Sequence, residues 1–291
     1  MDRFDHFILT RFNLNIESAP PERKLDPAWL DHRFELFDSF CYPSIRGQST
    51  QTFTWLVFFD SDTPRIFKEK VAEYSYSKFV PIFINAPTEE YHKNMHAEII
   101  KRMSDGAQSV VTTRLDNDDA LGIRFVETLQ KVVKDKFDNE PECINFTFGY
   151  KLDRSASKLY LAKHQSNQFI SFIERAQNFS TVYCEQHRWL SKVAPVREVK
   201  IAPLWLEVVH EKNITNKVHG VRKPVKGLRT FTIRAAIPSQ NDNWFSCWIG
   251  QGQESLKRMV ESLKRMVKRV AKLLLPRAII ALLRPMLAGR Q

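Results

Sequence analysis

An alternation of short apolar segments with stretches of helical periodicity constrains the fold of this chain most strongly. The apolar segments, rich in β-branched and aromatic residues, are 6–12, 53–59, 79–84, 109–115 and 143–148. Between them apolar residues recur every three or four positions, as at Tyr91, Met95 and Ile99, which is typical of a helix with one buried face. This order predicts an α/β fold: a mostly parallel sheet flanked by helices, with ligands bound beyond the carboxyl ends of its strands.

The pattern becomes less regular after residue 150. Residues 152–164 predict a hairpin, and residues 167–176 predict a short helix. We expect one domain over 1–253, made of the halves 1–150 and 151–253, followed by a separate tail at 254–291. With 291 residues and 43% hydrophobic composition, the chain can bury a core of that size.

The tail carries most of the positive charge. Residues 254–291 contain ten Lys and Arg against two Glu, which is +8 of the formal net charge of +11. The duplicated heptad ESLKRMVESLKRMV (254–267) predicts a helix with an apolar side and a basic side. Such a basic amphipathic helix favours a membrane surface. A partner helix and docking onto the domain are the alternatives.

Two kinds of partner do not fit the tail. Its apolar continuation is interrupted by prolines and arginines, and is shorter than the roughly 20 residues that a spanning helix requires. No recognisable nucleic-acid-binding fold accompanies the basic side, so we do not expect nucleic acid as a partner.

The cysteines and the N-terminus bear on localisation. Cys41, Cys143, Cys184 and Cys247 show no metal-ligand spacing, which favours buried thiols in a reducing compartment. The first residues, MDRFDHFILTRF, lack the pattern of a signal peptide. We therefore expect a cytoplasmic protein whose tail associates peripherally with the inner face of the cell membrane.

A cluster of acids closes the fourth apolar segment, in TTRLDNDDAL: Asp116, Asn117, Asp118 and Asp119. Carboxylates converge where Mg²⁺ or Mn²⁺ lies between them, with phosphate oxygens and water completing the coordination. Helix capping and turn formation are the structural alternatives. A calcium-binding EF-hand loop does not fit, because Ala120 and Leu121 stand where a ligand and a glycine are required.

A second acidic pair, Asp60 and Asp62, ends the second apolar segment. A phosphatase with the pattern D-x-D-x-T does not fit, because Pro64 occupies the position of the threonine. Two strands that end in aspartates at one edge of a parallel sheet indicate a common pocket. One strand end can hold the base or ribose of a nucleotide, and the other can hold a metal and a diphosphate.

Three motifs in order resemble the bacterial rhamnosyltransferase family of GT-A-type glycosyltransferases: FTWLVFFDSDTP (53–64), TTRLDNDDAL (112–121) and LWLEVVHEKN (204–213). The likeness includes HFILTRFNL (6–14) and LFDSFCYPSIRGQST (36–50), and it extends over about residues 5–235. It implies a GT-A-like (Rossmann-like) fold in which 1–150 binds the nucleotide sugar and 151–253 binds the acceptor. The tail lies outside it.

The resemblance also implies a cation site. GT-A enzymes use an Asp-x-Asp motif to bind a divalent cation that bridges the diphosphate of a sugar nucleotide. Here Asp116 and Asp118 would bind Mg²⁺ or Mn²⁺, and His210 would be a late metal or diphosphate ligand. Asp119 would be an additional ligand, a donor-sugar contact or a helix cap.

Further residues would contact the donor. By analogy, Asp60 lies close to the nucleoside, and the segment from Arg11 to Asn13 forms another wall of its pocket. Arg114 would pair with the acids or meet the diphosphate. The basic residues of the loop from 212 to 226 could close over the diphosphate, or they could be a solvated surface.

The candidates for the base that takes the proton of the acceptor hydroxyl are Glu185, His187 and Glu207. Glu185 is slightly favoured, because Tyr183 and Trp189 flank it and could line a sugar cleft. Glu207 stands where the family is expected to have an amide.

The leading hypothesis is a metal-dependent glycosyltransferase. It would move a sugar, rhamnose by the family likeness, from a nucleoside-diphosphate donor to a glycan or lipid-linked acceptor, with inversion. The alternative is a non-catalytic nucleotide-sugar or glycan-binding protein that its tail recruits to a membrane or a partner.

Overall fold

The computed structural model describes residues 4–14, 24–85, 90–136, 140–211 and 218–238, together with scattered positions between 246 and 266. The chain forms two compact units, Met1–Ser239 and Gln240–Gln291. The first unit contains the elements discussed below. Its strands from the two expected halves share sheets, so the division at residue 150 does not separate two bodies.

The helices of the first unit are α1 (Pro27–Leu36), α2 (Tyr42–Arg46), α3 (Arg65–Ala72), α4 (Tyr91–Ile100) and α5 (Phe125–Lys136). The strands of its larger sheet are β1 (Phe4–Arg11), β2 (Thr54–Asp60), β3 (Phe79–Ile84), β4 (Ser109–Arg114), β6 (Glu142–Phe146), β9 (Ser171–Arg175) and β10 (Val196–Val199). Those of the smaller sheet are β5 (Ala120–Leu121), β7 (Phe148–Asp153), β8 (Lys158–Lys163), β11 (Trp205–Val209) and β12 (Val221–Lys223).

The larger sheet has the strand order β10-β6-β9-β4-β1-β2-β3. Strands β4, β1, β2 and β3 are mutually parallel, as the alternation of strands and helices predicts. The side chains of β4, β1 and β2 are mostly buried on both faces, because separate apolar clusters cover the two sides, whereas the edge strand β3 exposes Pro81 and Phe83. Ile8 and Val57 belong to one cluster, and Leu9 and Leu56 belong to the other. The predicted α/β fold is confirmed.

Strand β9 corrects a sequence prediction. Residues 167–176 were expected to form a short helix, but Ser171–Arg175 form a strand that runs antiparallel between β4 and β6. A short apolar run has no decisive periodicity, and here the vacant edges of two other strands determine its conformation.

The smaller sheet has the order β12-β8-β7-β11-β5 and is mostly antiparallel, which the sequence did not predict as a separate sheet. The hairpin expected over 152–164 is confirmed as the pair β7–β8. Strand β5 follows the acidic cluster directly and pairs with β11, so the cluster spans the gap between the two sheets.

Helix α1 begins with residues that favour a helix start, and it ends in an irregular segment. The Asp26 side chain accepts a hydrogen bond from the Trp29 backbone N–H at 2.7 Å, and Pro27 occupies the first turn, where a missing N–H costs nothing. A five-residue π-helical segment, Phe37–Cys41, then joins α1 to α2. Such segments are rare, and they shift the faces of the helices that they connect.

The second unit is described only at a few positions. Met259, Val260, Leu263 and Met266 are helical, and their side chains are exposed. The rest of the predicted tail, including 267–291, lies outside the described residues. Within the described part of the chain, no helix has the length and apolar character needed to cross a bilayer.

Candidate active site

Polar side chains collect beyond the carboxyl ends of β1, β2 and β4. Arg11, Asp60 and Arg114 are the last residues of these strands. The chain proceeds from β1 to β2 and β3 on one side, whereas β4 lies on the other side of β1. The strand order therefore reverses between β1 and β4, and the crevice at such a reversal is where open parallel sheets bind ligands.

The acids after β4 do not converge on one point. Asp116 is the most open, with 33% of its side chain exposed. Asn117 is buried, and its amide donates a 2.7 Å hydrogen bond to the backbone carbonyl of Phe12, which joins the acidic turn to the end of β1. The two following carboxylates face the interior, each in a different environment.

Asp119 is tied to the second sheet. One oxygen accepts the backbone N–H of Val208 in β11 at 2.9 Å, and the other lies 3.5 Å from the Gln168 amide. Burial raises the pKa of Asp119 well above its usual range, and the charges of Asp118 and Asp116 raise it further. This carboxyl is placed to connect the two sheets.

Asp118 meets two basic groups at the same oxygen. The Arg33 guanidinium donates to its Oδ2, and the His210 Nε2 lies 3.0 Å from that atom. Although burial raises the pKa of Asp118, Arg33 and His210 outweigh it and hold the pKa at about 2. Behind His210, the Nε2 of His32 lies 3.3 Å from the His210 Nδ1.

Two arginines flank a buried tyrosine in the same crevice. The Arg11 and Arg114 guanidinium carbons lie 4.6 and 5.1 Å from the ring centroid of Tyr183. Arg114 also lies 3.5 Å from Asp116. The Nε atoms of both arginines are buried, and no hydrogen-bond partner for them lies among the described residues. Two cations with one partly exposed acid beside them leave a local excess of positive charge, which favours an anion.

The predicted nucleoside side of the crevice is polar and ordered. Asp60 is buried and forms a 2.6 Å ion pair with Lys24. Its backbone N–H donates to the Asn13 Oδ1 at 3.1 Å, and the Asn13 amide donates to Thr63 at 3.0 Å. Asn13 thus joins the ends of β1 and β2.

The three base candidates lie in different surroundings. Glu185 is half-buried and accepts the N–H of Gln186 at 2.7 Å. His187 has its pKa lowered to about 4, mainly by burial and further by the charge of Arg114, so that it is neutral at pH 7. Glu207 lies on β11 and forms a 2.7 Å ion pair with Lys151 of β7.

Asp118 and His210 fit a divalent cation. Two adjacent ligands of an octahedral ion with bonds of about 2.1 Å are separated by about 3.0 Å, and the Asp118 Oδ2 and His210 Nε2 are 3.0 Å apart. Among the described residues, no three His, Cys, Asp or Glu side chains form a complete metal site. Phosphate oxygens and water would supply the remaining positions, as Mg²⁺ sites commonly require.

Sequence reasoning missed Arg33, His32 and Lys24. Each comes from the segment that leads into α1 or from α1 itself, far in sequence from the acid or histidine that it contacts. Periodicity places His32 and Arg33 away from the buried Leu30 and Phe34, but it does not indicate which polar groups they meet. Of the basic loop 212–226, residues 212–217 lie outside the described residues, and Arg222 and Lys223 lie on β12.

Comparison with known proteins gives one family and several remote structures. The family described as "Putative rhamnosyl transferase" matches residues 2–222. No curated protein gives a significant match.

Three solved structures illustrate the remote similarity. Residues 1–349 of S. aureus TarS are 9% identical with a TM-score of 0.41, over 71% of this chain and 60% of that chain. The same protein in complex with UDP-GlcNAc is 8% identical with a TM-score of 0.41, over 75% and 61%. HddC from Yersinia pseudotuberculosis is 13% identical with a TM-score of 0.30, over 60% and 77%. The chain thus spans about 60% of the length of these TarS structures.

Proposed function

We propose, on the premise that this chain belongs to the rhamnosyl transferase family, that it transfers a sugar from a nucleoside diphosphate to a hydroxyl group of a glycan or a lipid-linked acceptor. One observation carries the proposal: an acidic turn and a pair of arginines face the same crevice, where the strand order of the larger sheet reverses. Opposite charges side by side suit a ligand that combines a diphosphate with a cation.

The donor would be held in two parts. Asp60 and Asn13 would contact the nucleoside, because they lie together at the ends of β1 and β2. Arg11 and Arg114 would contact the diphosphate through charge-assisted hydrogen bonds. Asp119, whose carboxyl bonds the backbone of β11, would hold the acidic turn in place beside the donor.

Asp116, Asp118 and His210 would hold Mg²⁺ or Mn²⁺. Asp118 and His210 have the required spacing, and Asp116 is exposed enough to reach an ion bound with the donor. When bound, the ion supplies Lewis-acid stabilisation of the charge that develops on the leaving diphosphate.

The base would be Glu185 or His187. The acceptor oxygen forms a bond to the anomeric carbon of the sugar while the bond from that carbon to the diphosphate breaks, and the base takes the hydroxyl proton. A single displacement of this kind inverts the configuration. His187 is neutral at pH 7 and close to Arg114 and Asp116, whereas Glu185 is more open to an acceptor. The family description favours rhamnose as the transferred sugar.

The tail would bring the enzyme to its acceptor. Its described apolar positions, Met259, Val260, Leu263 and Met266, are helical and exposed, and its basic residues suit anionic lipid headgroups. We therefore place the protein at the inner face of the cell membrane, as a peripheral protein that meets a lipid-linked glycan there.

The test is sugar transfer and donor hydrolysis with dTDP-, UDP- and GDP-sugars, with Mn²⁺, with Mg²⁺ and with EDTA. We expect turnover that requires the cation, and a loss of at least about 100-fold for Asp118→Asn, which removes a carboxylate that would face the transition state. Asp105→Asn is the control, since Asp105 is exposed and precedes β4 at the opposite edge of the sheet. Full metal-dependent turnover in Asp118→Asn would contradict the assignment, and donor binding without turnover would indicate the non-catalytic alternative.

A further inference from the structure

Arg33 donates a hydrogen bond to the carboxylate of Asp118, which the proposed function assigns to a cation. It belongs to α1, and 13% of its side chain is exposed. Its Nη1 donates to the Asp118 Oδ2 and, at 3.2 Å, to the Asn117 Oδ1. The face of the guanidinium lies 5.1 Å from the ring centroid of Trp29, one turn earlier on the helix. The Arg33 guanidinium therefore contacts three different residues.

A divalent ion and Arg33 would compete for Asp118. The Oδ2 atom that accepts from Arg33 is also the atom at 3.0 Å from the His210 Nε2, so an ion between Asp118 and His210 would take this oxygen. Two positive charges at one carboxylate oxygen repel each other strongly when water is excluded. Because 11% of Asp118 and none of the His210 side chain is exposed, little solvent is present to screen them.

Arg33 has other partners that remain when it leaves Asp118. The Asn117 Oδ1 and the Trp29 ring are neutral, so neither contact depends on the charge of the carboxylate. The Nη1 atom that donates to the Asp118 Oδ2 also donates to the Asn117 Oδ1, so a neutral acceptor lies beside the carboxylate.

His210 is held independently of Arg33. Its Nδ1 lies 3.3 Å from the Nε2 of His32, and the two rings meet edge to face with centroids 5.0 Å apart. His32 is in turn close to the carboxylates of Glu35 and Glu211. Partners of this kind fix the ring of a metal-binding histidine, so His210 keeps its orientation when Arg33 moves.

We propose that Arg33 is the internal counterion of Asp118, which a divalent cation must displace, and that it thereby sets the cation affinity of the site. The inference rests on the proposed function, because it takes Asp118 and His210 as the cation site. Arg33 stabilises the acidic turn before the cation binds and weakens the binding of the cation. It is a positioning residue, since it acts through Asp118.

The experiment is Mn²⁺ binding to the full chain without donor, followed by electron paramagnetic resonance and calorimetry. We expect Arg33→Gln to tighten the Mn²⁺ Kd about tenfold, because the variant has no positive charge that competes with the cation for the Asp118 Oδ2. Its thermal midpoint without Mn²⁺ should fall, because Asp118 loses its counterion. Arg46→Gln is the matched control, since Arg46 is exposed and also lies over an aromatic ring, that of Tyr42; it should leave the Kd unchanged.

If Arg33→Gln does not fold, Arg33→Lys tests the same proposal. Lysine retains the charge but has one ammonium group in place of the planar guanidinium, so it pairs less well with Asp118 and Asn117 together. Its Kd should lie between those of the wild type and Arg33→Gln. The proposal would be overturned if the folded Arg33 variants bound Mn²⁺ with an unchanged or higher Kd. It would also be overturned if none of these variants bound Mn²⁺.

The outcomes separate this inference from the proposed function. Tighter Mn²⁺ binding in the Arg33 variants without any sugar transfer by the wild type would support the counterion and contradict the transferase. Metal-dependent sugar transfer by the wild type, together with an unchanged Mn²⁺ Kd in Arg33→Gln, would support the transferase and contradict the counterion. Asp118→Asn should abolish the effect of the Arg33 substitution, because the two positive charges would no longer share a carboxylate.

Discussion

Three aspartates within four positions acquire three different properties from their surroundings. Asp116 is one-third exposed. Asp118 has a pKa of about 2, because Arg33 and His210 outweigh the effect of burial. Asp119 has a raised pKa through burial and the adjacent carboxylates, and it bonds the backbone of β11. The same residue type is therefore an open carboxylate, a paired carboxylate and a link between sheets.

The adjacent side chains of Arg11 and Arg114 predict that the protein binds a diphosphate without a metal ion. We expect the protein to bind inorganic pyrophosphate in EDTA, and Arg114→Gln to weaken this binding at least about tenfold, because one charge-assisted contact contributes about 1.5–3 kcal/mol. Calorimetric titration gives the Kd. Arg124→Gln is the control, an exposed arginine at the start of α5. Equal affinities in wild type and Arg114→Gln would remove these arginines from the donor site.

At the scale of elements, the pairing of β7 with β11 depends on one glycine. A Cβ atom built on Gly149 would lie 1.9 Å from the Trp205 ring. Trp205 is fully buried, and its indole N–H donates to the Phe146 carbonyl at 2.8 Å. The ring cannot move without losing this bond and its stacking on Phe169. The absence of a side chain at 149 is what lets the two strands lie together.

Gly149→Ala is therefore expected to destabilise the protein by about 3 kcal/mol or more, at the upper end of the cost of overpacking a core. Urea denaturation measures the change in the free energy of unfolding. Gly252→Ala is the matched control, since no described residue outside its own helix lies within 4 Å of its built Cβ, and it should change stability little. A stability loss below about 1 kcal/mol in Gly149→Ala would show that Trp205 repacks freely.

At the scale of the whole molecule, buried histidine makes stability depend on pH. His6 lies in β1, where its ring nitrogens face Thr113 at 2.8 Å and Gln130 at 3.4 Å. Burial lowers its pKa from 6.5 to about 3. The folded protein keeps His6 neutral, whereas the unfolded chain takes up a proton below pH 6.5. This contribution to stability is present above pH 6.5 and is lost as the pH falls towards 3.

The measurement is the free energy of unfolding at pH 7 and pH 5 for wild type and His6→Gln. The variant should be less stable at pH 7, but its loss between pH 7 and pH 5 should be smaller than that of wild type by about 2 kcal/mol, from the two pKa values of His6. His219→Gln, at an exposed histidine, is the control. Parallel pH profiles for wild type and His6→Gln would contradict the effect.

The tail adds a second prediction at this scale. The full chain should float with vesicles that contain anionic lipid, and Met259→Asp with Leu263→Asp should abolish this, because the exposed apolar side of the helix then carries charge. Ile66→Asp is the control, an equally exposed apolar residue outside the tail. Flotation by the double variant at the wild-type level would exclude the proposed membrane helix.

The sequence by itself determined the order of strands and helices in the parallel part of the larger sheet, and it predicted the edge at which ligands would bind. It also determined the family, through motifs at the ends of three strands. These features are local: the spacing of apolar residues predicts each element, Asp60 is the last residue of β2, and Asp116 stands two positions after the end of β4. The helix expected over 167–176 was wrong because that short run has no distinctive spacing, and its neighbours in the sheet decide its form.

The tertiary structure alone decided what each candidate residue contacts. Arg33 and Asp118 are 85 positions apart, His210 and Asp118 are 92 apart, and Val208 and Asp119 are 89 apart. No periodicity relates residues at such separations, because their contact depends on how α1, β11 and the acidic turn pack together. A carboxylate in the sequence can be a ligand, a counterion or a link between sheets. Burial and the nearest charge determine which, and both exist only in the folded chain.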